Sequence, residues 1–318
     1  MPGAYNNRQL SPMTASSSSS VLTPAQSLSQ RLALAALVLG ALAIAFSPIF
    51  VRISEVGPTA TGFYRTILAV PPLWLWWRFM PAARTETSHV GRPPLALILL
   101  PGLLFAGDLF FWHLSIQYTT VANATLLSNF APVIVTLGAW LILRERITSK
   151  FLFAMLIAIC GALMLVGASF QLGGDYVFGD MLAFTTAIFY GAYMVAVAKL
   201  RGRHGTQDLM VWSSLVTGLA LLPVTWLMGE KLLPASMDGW LILFGLAWLS
   251  HALGQGLIAY ALGHLPASFS SLVVLIQPVA AAFFGWLWLG EGLQPLQMAG
   301  GVVVLVGIVL ARRAQLAP

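Results

Sequence analysis

Apolar residues come along this chain in blocks of about twenty, separated by short polar runs. The blocks fall at 32–51, 59–79, 94–116, 119–142, 151–169, 178–199, 208–228, 239–261, 267–289 and 296–312. A block of that length matches the roughly 30 Å of hydrocarbon in a bilayer. None alternates over about ten residues as a membrane β-strand would, and a backbone in lipid must satisfy its own hydrogen bonds. Ten transmembrane helices are therefore expected, with connections too short for an extramembrane domain. Residues 1–30 differ, with the serine run Ser16 to Ser20 and prolines at 2, 12 and 24. They bury too little apolar surface to offset their ordering entropy, which predicts a disordered cytoplasmic tail. The first block is too long for the core of a cleaved signal peptide and follows a long neutral leader.

Composition agrees with the pattern. Of 318 residues 58% are hydrophobic and 8% charged, and the mean hydropathy is +0.86. Soluble proteins carry about 25% charged residues, enough to build a water-facing surface. The net charge of +6 forms no stripe on a soluble face, so it predicts no nucleic-acid partner. It marks orientation instead. With the N-terminus in the cytoplasm, thirteen Lys and Arg fall on that side, among them Arg31, Arg78, Arg144, Arg146, Lys150, Lys199, Arg201, Arg312 and Arg313; Lys231 and Arg52 fall on the other. That bias predicts both termini inside. The single cysteine, Cys160, can form no internal disulfide and is expected to be a small packing residue.

The chain also matches itself at an offset of 146 residues: Pro132 with Pro278, Glu145 with Glu291 and Gly161 with Gly307. APVIVTLGAWLILRE, from Ala131 to Glu145, is echoed by QPVAAAFFGWLWLGE, from Gln277 to Glu291, and Asp108 falls in register with Gly254. Two units are expected, 31–170 and 177–313, each of five helices. Five is odd, so the second unit enters the membrane upside down. Inverted repeats place a pseudo-two-fold axis in the membrane plane, and rocking one half against the other exposes a midplane site to each side in turn.

These segments carry a family resemblance. FAGDLFFWHLSIQYTTVANATLLSNFAPVIVTLGAWLILRERIT, the later SSLVVLIQPVAAAFFGWLWLGEGL and GPTATGFYR at 57–65 resemble the drug/metabolite transporter superfamily, and within it the EamA-type permeases. The resemblance covers nearly the whole chain after residue 31. It implies a ten-helix exporter or importer of small metabolites in the cytoplasmic (inner) membrane and does not identify the solute. One departure is that Gly290 and Gly292 flank Glu291 where Arg144 and Arg146 flank Glu145, so the halves are not equivalent.

Charges within the hydrocarbon are costly and therefore functional candidates. Asp108 is the one acid near the middle of a span, with Trp112 and Ser115 on its face; it is a candidate for a cationic group, a proton or an arginine partner. Arg65, about 9 Å deep, could pair with Glu55 or Asp108, snorkel outward, or take a solute carboxylate. His251 and Gln255 share a helical face, and the repeat puts His251 near the depth of Asp108, so the two are expected on a common cavity. His113, on another face, is expected to be an interhelical contact. Asn123, Ser270 and Gln277 are weaker polar candidates. Tyr190 and Tyr193, with Trp112, would make an aromatic wall, or pack. Pro132 and Pro278 predict matched kinks, and Glu145 and Glu291 caps or loop pairs at helix ends.

Absent motifs narrow the chemistry. There is no H-E-x-x-H, P-loop or G-x-S-x-G, and no second midspan Asp for an aspartyl enzyme. No catalytic residue, metal site or cofactor is expected. The reading is a secondary transporter moving an amino acid, amphiphilic metabolite or drug-like cation by alternating access, with export favoured and proton coupling through Asp108 and His251. Its partners are the lipid bilayer, a small-molecule solute and protons, and a homodimer is compatible. The alternatives are an uncoupled facilitator of the same fold and an intramembrane enzyme.

Overall fold

The computed structural model describes residues 24–79, 95–119, 121–167, 176–201, 204–289 and 292–316. They are helical throughout, with no strand among them. The helices of the first half are α1 (Pro24–Ile44), α2 (Ser47–Arg52), α3 (Pro58–Ile67), α4 (Val70–Phe79), α5 (Leu95–Tyr118), α6 (Val121–Ser128), α7 (Ala131–Leu141) and α8 (Ser149–Gly167). Those of the second half are α9 (Val177–Arg201), α10 (Thr206–Leu227), α11 (Met237–Gly245), a π-helical stretch (Leu246–Gln255), α12 (Gly256–Ala261), α13 (Ala267–Val273), α14 (Ile276–Leu289) and α15 (Pro295–Leu316). Eight helical runs are long and apolar enough to cross a membrane, and Ser149–Leu165 is a shorter apolar helix. α1 starts at Pro24, so 24–30 belong to the first helix and not to the expected tail, whose remainder lies outside the described residues. Proline suits that first turn, since its missing N–H would have had no helical partner anyway.

Prolines set where the long helices break. The apolar block at 59–79 is divided into α3 and α4 at Leu68–Ala69, just ahead of Pro71 and Pro72. Pro72 has no N–H to offer the Leu68 carbonyl, and Trp248 Nε1–H of the other half donates to it at 3.1 Å. The same rule separates α1 from α2 ahead of Pro48, α6 from α7 ahead of Pro132, and α13 from α14 two residues before Pro278.

Two close approaches hold the framework. α8 and α15 touch backbone to backbone: a Cβ on Gly161 would lie 2.5 Å from Val304 N, and one on Gly307 2.6 Å from Ala158 N. α1 meets the π-helical stretch through Gly40 and Gly254, where a Cβ on Gly40 would lie 2.7 Å from the Gly254 carbonyl. Large apolar side chains such as Leu39, Trp140, Phe153, Trp226 and Leu305 stand exposed on the outside, the surface a bilayer covers. Cys160 is exposed as well and is not the packing residue expected.

Carboxylates tie the halves together at both ends. Glu145 follows Arg144, which takes the left-handed backbone conformation (φ 58°) that normally falls to glycine; the Glu145 N–H closes back on the Ala139 carbonyl at 3.0 Å. This turn aims the Glu145 carboxylate at the start of α13, where it accepts from Ala267 N–H (2.6 Å), Ser268 N–H (3.2 Å) and Ser268 Oγ (2.6 Å). A carboxylate on the unpaired N–H groups of a helix start satisfies them and complements the helix dipole. Glu230 does the same for α3, accepting from Thr59 N–H (3.2 Å) and Ala60 N–H (2.8 Å). Glu55 accepts from Ala235 N–H (2.7 Å), Ser236 N–H (3.0 Å) and Ser236 Oγ, next to the start of α11. Glu291 lies outside the described residues.

Candidate functional site

The helix breaks meet around one cavity of about 160 Å³. Ile44, Ala45, Ser47 and Pro48 line it from the first break, Ser128, Asn129, Ala131 and Pro132 from the second, and Val274, Leu275, Gln277 and Pro278 from the third. α3 contributes Arg65; α5 contributes Phe105, Asp108, Leu109 and Trp112; α9 contributes Thr186, Tyr190 and Met194. Proline explains the convergence: each ring removes one N–H, so the chain bends and its backbone reaches the interior. Toward the end carrying Arg144 and Lys150 the lining stops at Pro132 on α7 and Ser271 on α13, and the Glu145 contacts lie beyond.

Arg65 and Asp108 face this cavity, both nearly inaccessible at 8% exposure. Arg65 Nη1–H donates to Ser47 Oγ at 3.0 Å, its guanidinium carbon lies 5.8 Å from the centre of the Phe105 ring, and its Nε–H has no partner. Glu55 is held by Ser236 and Ala235, so the Arg65–Glu55 pair raised by the sequence does not form. Arg65 and Asp108 act on each other electrostatically, yet among the described residues no ion pair joins them. The amide nitrogen of Asn129 is buried and makes no hydrogen bond, while those of Gln255 and Gln277 are buried and turned toward tyrosine hydroxyls at longer range. Tyr190 faces Gln255 and Gln277, Tyr193 faces Gln255, and the two rings stack 6.0 Å apart.

The expected residues thus divide. Asp108, Arg65, Trp112, Tyr190, Gln255, Gln277, Pro132 and Pro278 line the cavity. His251 does not: its ring stacks on Phe105 at 5.4 Å and its Nε2 bonds Ser214 Oγ at 2.9 Å, so Phe105 stands between it and the lumen. The common cavity for Asp108 and His251 is therefore corrected. Ser270 is also off the lining, with its hydroxyl donating to the Pro266 carbonyl at 2.9 Å. Tyr193 packs behind Tyr190 against Phe105. The Asn123 side chain lies outside the described residues. His113 packs onto Gly62 of α3, an interhelical contact as its face predicted. Sequence reasoning missed Asn129, Ser47 and Thr186. A polar residue within three positions of a kink proline was the available signal for the first two.

A helical membrane protein of two joined halves, with a cavity that holds Arg65 and Asp108 at its helix breaks, belongs to the class of multi-pass transporters. Within that class the chain belongs to the EamA-like transporter family, whose model matches residues 31–167 and 177–313. It is an integral protein of the cytoplasmic (inner) membrane. Relatives include the pseudopaline exporter CntI of Pseudomonas aeruginosa, 27% identical over 253 residues covering 80% of this chain and 85% of that one. A probable amino-acid metabolite efflux pump of Salmonella typhimurium is 30% identical over 256 residues, covering 75% and 85%. A probable terminal-alkyne amino-acid exporter of Streptantibioticus cattleyicolor is 28% identical over 204 residues, covering 63% and 66%. One solved crystal structure matches with a TM-score of 0.74 at 17% identity, covering 91% of this chain and 99% of that chain, a likeness of fold.

Proposed function

We propose that the protein is a secondary exporter that moves a small organic metabolite by alternating access. Ten crossings, threaded as two inverted quintets with both termini in the cytoplasm, carry it. The observation behind this reading is the cavity itself: discontinuous helices from both halves surround a buried Arg65 and Asp108 that make no direct bond to each other. Charges are costly at such depth and mark solute or ion pathways. With the basic loops inside, the Glu145 contacts with α13 close the cytoplasmic end, and opening requires them to part. Asp108 carries the coupling proton, since it is the acid on the lining. Export is favoured by the relatives, which are named exporters and an efflux pump.

Two measurements test this. Cells making the protein should release a metabolite that cells lacking it retain, as an untargeted comparison of medium and cytoplasm would show. Flux of that metabolite into proteoliposomes should respond to a pH gradient, and Asp108→Asn should abolish the response. An unchanged gradient dependence in Asp108→Asn removes the proton role, and identical metabolite profiles remove the exporter.

A further inference from the structure

We infer that a crevice on the outer wall, between α4 and the π-helical stretch, is a binding site for one acyl chain of a bilayer phospholipid. It shares no residue with the lining of the central cavity. The crevice holds about 300 Å³. Pro72, Leu73 and Trp76 of α4 form one side; Trp248 and Leu253 of the π-helical stretch, with Leu257 of α12, form the other. Each half thus supplies one wall. Leu73 is buried at the floor, while Trp248 and Leu253 stand about half exposed at the rim.

The duplicated sequence shows what opens this gap. Trp248 falls in register with Gly102 at the same offset of 146 that pairs Asp108 with Gly254. At Gly102 the equivalent crossing is shut. A Cβ there would lie 2.5 Å from Val216 Cβ and 2.9 Å from the Ser213 carbonyl of α10, and Thr217 Oγ1 donates to the Gly102 carbonyl at 2.8 Å. At the other crossing an indole takes the place of the glycine. It donates to the Leu68 carbonyl that Pro72 leaves free and holds the helices apart. At the far end the Trp76 ring lies 3.8 Å from where a Cβ on Gly256 would stand. The slot from Trp248 to Leu257 spans nine residues, at most about 13 Å at 1.5 Å per residue. That is less than half of the roughly 30 Å of hydrocarbon, the reach of a chain from one leaflet.

The chemistry of the walls selects the occupant. No charged or hydroxyl-bearing side chain lines the crevice, and the Trp248 N–H is already bonded. A polar solute would find nothing there to replace its water. A helix from a second copy, roughly 10–12 Å across, cannot enter it. An empty slot would forfeit dispersion contacts along both walls. A single hydrocarbon chain matches its length and its polarity. The Trp76 end lies nearer the membrane surface, because α4 ends at Phe79 just after Arg78, whereas Trp248 sits midway along the run Met237–Ala261. The chain therefore enters with its ester end beside Trp76 and its terminal methyl beside Trp248.

The experiment uses the full chain in phosphatidylcholine vesicles doped with a phosphatidylcholine that carries a photoactivatable diazirine on one acyl chain. Labelled peptides are mapped by mass spectrometry as the doped fraction rises. Labelling within 72–76 and 248–257 should saturate at a low fraction. It should exceed several-fold the labelling around Phe153 of α8 and Leu305 of α15, exposed apolar faces where label should rise in proportion to the probe. A diazirine at the chain terminus should favour the Trp248 end, and one near the ester the Trp76 end. Ala252→Trp, which fills the crevice from its own lining, should bring the label there down to the level at Phe153 and Leu305 and leave those faces unchanged. Should that variant fail to fold, the saturation curves of the unsubstituted protein decide alone. Crevice label that rises in proportion and matches the other faces means ordinary bilayer contact only and overturns the site. Label that a folded Ala252→Trp leaves unchanged overturns it too, as does an absence of label, which would mean that a second copy covers the crevice. None of these outcomes touches the transport reading, which the metabolite comparison tests.

Discussion

The crossing of α8 with α15 and the pairing of α5 with the π-helical stretch show two fates of a duplicated sequence. At the first, the matched glycines Gly161 and Gly307 do the same work, each lying against the backbone of the opposite helix. At the second, matched positions have parted. Asp108 faces the cavity, whereas its counterpart Gly254 packs where a Cβ would lie 2.7 Å from Ile44 Cγ1. Phe105 and its counterpart His251 stack on each other at 5.4 Å, and His251 turns away to Ser214. One half supplies the acid and the other supplies close packing and Gln255. Duplication preserved the framework, while the cavity wall was free to diverge.

The strongest way to break this contrast is at the symmetric crossing. Gly161→Leu and Gly307→Leu should both abolish folded protein, because the new side chain meets backbone that cannot yield. The cost should exceed the about 1–3 kcal/mol of ordinary overpacking. Size-exclusion profiles of the two variants would check it, and a normal profile for only one would show that the glycines are not equivalent. Next comes Gly254→Asp, which restores the acid that symmetry would place there. It should cost about 3–5 kcal/mol, as an unpaired buried charge does, and lower the melting temperature far more than Asp108→Asn.

Smaller effects concern the ties between the halves. Glu145→Gln should cost about 1 kcal/mol, the usual worth of a helix cap. It should also favour opening at the basic end. After Cys160→Ala, a cysteine replacing Ser271 should react faster with a thiol reagent once Glu145 is glutamine; an equal rate would mean that the contact does not gate. The smallest effect belongs to Glu55, whose carboxyl is held below the ordinary glutamate range by the Ser236 hydroxyl and the Ala235 N–H. A lowered value in the folded state means that its contribution is present above the ordinary range and is lost as pH falls through the lowered one. Acid should therefore destabilise the parent slightly more than Glu55→Gln, in melting curves taken from pH 7 to pH 3.

Much of the helical plan was legible because lipid imposes length: apolar blocks of about twenty residues admit few alternatives. The kinks at Pro132 and Pro278 were legible too, since proline acts through local geometry. His251 was misplaced for a physical reason. At the α-helical pitch it shares a face with Gln255, but Leu246–Gln255 is wound as a π-helix, where i→i+5 bonding widens each turn and rotates one residue relative to the other. Arg65 was legible as a buried charge but not in its partner, because Glu55 is claimed by Ser236, a residue 181 positions away. Asn129 carries no helical periodicity, and its one signal in the sequence is its place three residues ahead of Pro132.

Among the described residues α8 and α15 lend no side chain to the cavity. Cargo preference can therefore drift by substitution on α5, α9 and the broken helices, while this glycine-joined strut keeps the two halves in register. A lineage can change what it carries without having to fold anew.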